Sequence, residues 1–178
     1  LVSKANETDI SELTVVILDR PRHENLIEQV RLAGARIKLI RDGDVAGAIA
    51  AARRGSGVDV LMGIGGTPEA VIAAAAIKCM GGEILGRLYP RDETEKQKAI
   101  ELGFELDKVL TTNDLVAGDN IFFSATGITN GDLLPGVRYD QISAHTTSLS
   151  MRSKSGTVRL VEAEHNLHKL RSLSVVEY

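Results

Sequence analysis

Residues 13–34 read LTVVILDRPRHENLIEQVRLAG. Leu13–Leu18 is an apolar, β-branched run with no polar alternation, the pattern of a parallel strand buried on both faces. It ends in Asp-Arg-Pro-Arg. His23–Leu32 then places Leu26, Ile27, Val30 and Leu32 at near-helical spacing, and Gly34 stops the helix. The same unit recurs twice. Ala35–Ile40 (ARIKLI) closes on Arg41-Asp42-Gly43-Asp44 and leads into an Ala-rich helix, Val45–Arg54. Val58–Gly63 (VDVLMG) closes on Ile64-Gly65-Gly66-Thr67-Pro68-Glu69 and leads into an apolar helix, Ala70–Met80, stopped by Gly81-Gly82. Three successive strand–helix units predict right-handed crossovers and a largely parallel sheet covered on both faces.

Downstream the pattern changes. Arg91–Leu102 (RDETEKQKAIEL) reads as a charged surface helix, and Val109-Leu110 with an Asp114-Leu115-Val116 turn leads to a fourth strand, Asn120–Ala125. Thr126–Gly131 reads as a turn and Val137–Tyr139 as a short extended piece. Ala144–Met151 and Ser155–Val161 read as strands, and the polar tail Glu162–Tyr178 as helical at first. No repeat or linker divides the chain. The expectation is one α/β unit over residues 1–178, a mostly parallel sheet flanked by helices with an antiparallel edge.

Composition narrows the function classes. Lys and Arg number 21 against 24 Asp and Glu, a formal charge of −3, and no basic stripe offsets it. Aromatic residues make up only 3% of the chain. Both features argue against a nucleic-acid partner, which needs phosphate-neutralising charge or stacking surfaces. The single cysteine, Cys79, excludes an internal disulfide framework and fits a reducing compartment. No apolar run approaches the roughly 18 residues needed to span a bilayer, and the first residues carry no secretory pattern, so a cytoplasmic location without membrane contact is expected. The first residue is not Met, which processing or derivation from a longer protein would explain.

The polar clusters fall at the carboxyl ends of successive parallel strands, where open α/β sheets bind ligands. Arg20-Pro21-Arg22 offers two guanidiniums suited to phosphate oxygens, or is a solvated turn at a helix start. Asp42-Gly43-Asp44 offers two carboxylates for sugar hydroxyls or a divalent cation; equally, Asp44 is an N-cap and Gly43 supplies a positive φ. In Gly63–Glu69, Pro68 suits the first helical position, so Gly65-Gly66-Thr67 would point free N–H groups at an anion. Glu69 serves either the helix dipole or a metal ion. The segment fails both the dinucleotide fingerprint and the P-loop pattern. His165 and His168, beside Glu162 and Glu164, make a weak metal face on a polar helix. Cys79 reads as a small core residue, and Arg152 and Lys154 as edge-strand charges or contacts to a phosphate or a neighbouring subunit.

Taken in order, LDRPRH, RDGDVAGAI, GIGGTPEAVIAAAAIKCMGGEI, GDNIFFSATGITNGDLLPGVR and MRSKSGTVR resemble the second half of class II (GlpX-type) fructose-1,6-bisphosphatase. The resemblance implies the lithium-sensitive sugar and inositol phosphatase fold and hydrolysis of fructose 1,6-bisphosphate in gluconeogenesis with Mn²⁺ or Mg²⁺. Some cyanobacterial relatives also take sedoheptulose 1,7-bisphosphate. It places substrate contacts on Arg20, Pro21, Arg22, Asp42, Gly43, Asp44 and Gly66, and a metal ligand on Glu69. Thr67 and Ala70 replace a common Ala and a common Gly without removing a functional group. Most of the family's metal carboxylates and a substrate-contacting tyrosine belong to an N-terminal half that is absent here. The resemblance therefore implies that this chain holds no complete catalytic set, is inactive alone, and works with that half in a homo-oligomer. The alternative is a non-catalytic sugar-phosphate-binding or regulatory module.

Overall fold

The computed structural model describes residues 1–173. A short helix α1 (Val2–Ala5) precedes β1 (Thr14–Leu18), and the chain continues through α2 (Glu24–Leu32), β2 (Arg36–Ile40), α3 (Asp44–Ala52), β3 (Val60–Leu61) and α4 (Thr67–Met80). β1 pairs in parallel with β2 and with β3, giving the order β2-β1-β3. The apolar run at Val15, Val16 and Ile17 thus occupies the centre of the sheet, at most 4% exposed. Val15 and Ile17 pack against Ile27 and Val30 of α2. Val16 faces the other layer, where a Cβ at Gly47 would lie 2.7 Å from Leu61 Cδ1 and 3.3 Å from Val16 Cγ1. Glycine at that position lets α3 lie directly on the sheet.

The second half holds α5 (Glu93–Glu101), α6 (Thr112–Leu115), β4 (Phe122–Thr126), β5 (Arg138–Tyr139), β6 (Ser143–Arg152), β7 (Thr157–Asn166) and α7 (Leu167–Leu173). The α/β class holds, but the antiparallel strands form a sheet of their own rather than an edge of the parallel one. β6 is its spine: β7 pairs along its whole length on one side, and β4 and β5 pair in succession on the other. α4 separates the two sheets. Its Ala73 and Ile77 pack with Ala48 of α3, while Ala76 and Cys79 pack with Phe123, Leu149 and Met151 of the antiparallel sheet. Small side chains on both faces of α4 are what let it be sandwiched. Cys79 is core, as its sequence context suggests, and burial pushes its thiol pKa up.

Several boundaries differ from expectation. The third parallel strand is Val60–Leu61, not Val58–Gly63. α4 starts at Thr67, not Ala70, capped by Gly66. The Asp114-Leu115-Val116 turn is the end of a helix, because Thr111 and Asp114 form a reciprocal capping box. The tail from Glu162 continues β7 to Asn166, since each residue from Thr157 to Asn166 has a partner in β6 and cross-strand pairing outweighs polar composition. Helix follows only at Leu167, and residues 174–178 of the tail lie outside the described residues.

On β7, Val158 and Leu160 share a sheet face with the buried Met151 and Leu149, their register partners, yet are 45% and 58% exposed. Its outer edge has no strand partner among the described residues. No helix among them is long and apolar enough to cross a membrane.

Candidate functional site

The loops leaving β1, β2 and β3 lie side by side because their strands do, and specific bonds tie them together. Asp19 N–H extends the β1–β2 ladder to the Ile40 carbonyl at 2.8 Å. Arg20 donates to the Asp19 carbonyl at 2.8 Å and to the Arg41 carbonyl, joining the first loop to the second. Arg22 donates through Nε to the Ile64 carbonyl at 2.9 Å, joining the first loop to the third. Pro21 opens the single helical turn Pro21–His23, which Arg20 precedes and which contains Arg22, and stiffens it.

In the second loop, Gly43 sits at φ 79° and is itself the cap of α3. Asp44 is therefore the first helical residue, not the N-cap. Its carboxylate lies over the third loop, where a Cβ at Gly65 would come within 3.2 Å of Oδ2. Asp42 is exposed, and its carboxylate makes no hydrogen bond among the described residues. In the third loop, Glu69 curls back over the start of its own helix, so that a Cβ at Gly66 would lie 2.1 Å from Glu69 Oε2. Pro68 is the second residue of that helix, not the first. Glu69 is exposed and accepts no hydrogen bond among the described residues.

The structure thus gathers Arg20, Arg22, Asp44, Gly65, Gly66 and Glu69 at one end of the parallel sheet, with Asp42 on the rim. It adds His23, which the sequence pattern marks only as a helix start. Its signal is the loop partner Gly63: a Cβ there would lie 3.1 Å from His23 Cε1, so the glycine makes room for the ring.

The other candidates are not part of this site. His165 lies on β7 with Nε2 2.9 Å from Thr146 Oγ1, whereas His168 belongs to α7, so they share no helical face. Arg152 stacks over the Phe122 ring at 4.9 Å and donates to Asn120 at 2.8 Å, which assigns it to the sheet. Lys154 lies in the single helical turn between β6 and β7.

Among the described residues no three His, Cys, Asp or Glu side chains gather into a group able to hold a metal ion. Glu69 offers one carboxylate and Asp44 another on the adjoining loop. Stable binding of a hard divalent cation needs about six oxygen ligands, several of them carboxylates or waters. The donor set of the described residues supplies part of an ion site and not a complete one.

A parallel α/β layer with arginines, carboxylates and a helix N-terminus drawn together at its strand ends belongs to the class of open α/β folds, in which the strand ends are the usual place for ligands. The chain belongs to the family described as bacterial fructose-1,6-bisphosphatase, glpX-encoded, whose pattern matches residues 1–165. It is 44% identical to the D-fructose 1,6-bisphosphatase class 2/sedoheptulose 1,7-bisphosphatase of Synechococcus sp. (strain JA-2-3B'a(2-13)), over 93% of this chain and 51% of that protein. It is also 44% identical to the fructose-1,6-bisphosphatase class 2 of Haemophilus influenzae, over 90% of this chain and 52% of that protein. The chain spans about half the length of the curated relatives it matches.

Proposed function

We propose that this chain is the substrate-binding half of a gluconeogenic, cytoplasmic phosphatase that hydrolyses fructose 1,6-bisphosphate to fructose 6-phosphate and phosphate. The observation that carries the reading is the cross-tying of three strand-end loops, which holds guanidinium, carboxylate and helix N-terminal groups at one end of the parallel sheet. Arg22 spends Nε on Ile64 and keeps both terminal nitrogens for phosphate oxygens. Arg20 has both terminal nitrogens on backbone carbonyls, so it chiefly shapes the loop and adds positive charge. Asp42 and Asp44 accept hydrogen bonds from sugar hydroxyls. Gly43 and Gly66 let the backbone approach the ligand.

Glu69 contributes one carboxylate to a Mn²⁺ or Mg²⁺ site whose other ligands come from the rest of the protein. A bound divalent ion would neutralise phosphate charge and lower the pKa of a water. The chain alone is inactive for want of those ligands, and the active form is a homo-oligomer of the completed polypeptide. The names of the relatives, matched over at least 90% of this chain, do not favour a non-catalytic sugar-phosphate module.

The test is phosphate release from fructose 1,6-bisphosphate by the full-length protein, lost on chelation and restored by Mn²⁺ or Mg²⁺. No release with either ion overturns the reading. Within that enzyme, Arg22→Ala is expected to raise KM about tenfold or more with a smaller change in kcat, since one charge-assisted hydrogen bond contributes roughly 1.5–3 kcal/mol. An unchanged KM in steady-state assays would leave Arg22 a loop tie only.

A further inference from the structure

The Arg20–Arg22 segment and the Gly63–Glu69 loop leave different strands, and a buried imidazole stands between them. His23 is 0% exposed. Its Nδ1 lies 2.8 Å from the Leu18 carbonyl oxygen, and its Nε2 accepts the Ile64 N–H at 2.8 Å. A carbonyl only accepts and an amide N–H only donates, so the ring is neutral with its proton on Nδ1. The ring packs into the space left by the missing side chain of Gly63, where a Cβ would come within 3.1 Å of it. The next residue back, Arg22, holds the carbonyl of the same Ile64 at 2.9 Å. Both polar groups of Ile64 are therefore gripped by neighbouring residues of the first loop, one residue before Gly65-Gly66 and the start of α4.

We infer that His23 is a positioning residue that sets the separation between the Arg22 guanidinium and the Gly66–Glu69 end of the site by fastening Ile64 to the first loop. It touches no ligand, since it has no exposed surface; it acts through Ile64 and Arg22. The inference rests on the reading of Arg22 as a phosphate-binding group. Its ligand class is accordingly the phosphate end of a sugar bisphosphate, which must be reached from both loops at once.

Two substitutions separate its two bonds. A side-chain amide at Asn reaches the place of Nδ1 and one at Gln the place of Nε2, so His23→Asn retains the tie to Leu18 and His23→Gln the tie to Ile64. Both enlarge or reshape a buried site and both should lower Tm. In the full-length protein, His23→Asn is expected to raise KM for fructose 1,6-bisphosphate about tenfold and to accelerate hydrogen exchange at the Ile64 amide; His23→Gln should stay within about threefold of wild type with Ile64 still protected. A merely structural role would instead make KM and exchange follow Tm in both variants alike, and that result overturns the inference, as does an Asn variant with wild-type KM and exchange. Wild-type protein that releases no phosphate would overturn the activity reading alone, while the exchange comparison would still decide whether His23 fastens the two loops.

Discussion

Glu69→Gln in the full-length enzyme is expected to cut Mn²⁺- or Mg²⁺-dependent phosphate release at least about a hundredfold while leaving Tm within a degree or two. The magnitude follows from removing a charged ligand outright, when loss of a residue that merely supports a ligand costs about 10–100-fold. The stability expectation follows from exposure and from the absence of any hydrogen bond to this carboxylate among the described residues, which puts the change within about 0.5 kcal/mol. Turnover near the wild-type rate would reduce Glu69 to a helix-dipole residue. Gly66→Ala probes the same carboxylate from the other side: the added Cβ would sit where Glu69 Oε2 now lies, displacing the flexible end of a side chain and not the backbone. It should therefore weaken activity and metal affinity while the fold survives, as a metal titration and a thermal melt would show.

Gly127→Ala should have the largest effect on stability. A Cβ there would lie 2.1 Å from the Pro135 carbonyl oxygen and 3.0 Å from its carbon, both backbone atoms that no rotamer change can move. The loop between β4 and β5 is closed by Val137 N–H on the Ile128 carbonyl and by Gly136 N–H on the Asn130 side chain. It also carries Leu134, 6% exposed, into the core beside Ile49, Ala76 and Met151. Relieving the clash opens the loop and withdraws Leu134, a loss of about 3–5 kcal/mol, comparable to truncating a buried leucine. Urea denaturation would measure it, and a loss below about 1 kcal/mol would mean that the loop has another conformation open to it.

How much of this was legible beforehand depended on the range of the interaction. The three strand–helix units were readable because continuous apolar runs and helical spacing are local signals: Leu13–Leu18 and Ala35–Ile40 each overrun their strand by one residue at the start, and Ala70–Met80 lies within α4. The strand-end positions of Arg20, Arg22, Asp44 and Glu69 followed from that order alone. What could not be read was pairing across the chain. Composition alone gives β7 a polar tail, and only its register with β6 makes Glu162–Asn166 a strand. The antiparallel sheet is separate because alanines on two faces of α4 admit a second layer, a property of the three-dimensional stack. His23 escaped notice for the same reason: its partners, Leu18 and Ile64, are five and 41 residues away.

The border of β7 that has no strand partner among the described residues also carries charge. Val158, Leu160 and Val161 are interspersed there with Arg159, Glu162 and Glu164, all exposed, and charges on a strand border discourage a second molecule from adding to it. That protection is electrostatic, with a reach of about 10 Å at 0.1 M salt and about 3 Å at 1 M. Ionic strength therefore tunes that protection at this border: the charges act across it in dilute buffer and are screened in concentrated salt.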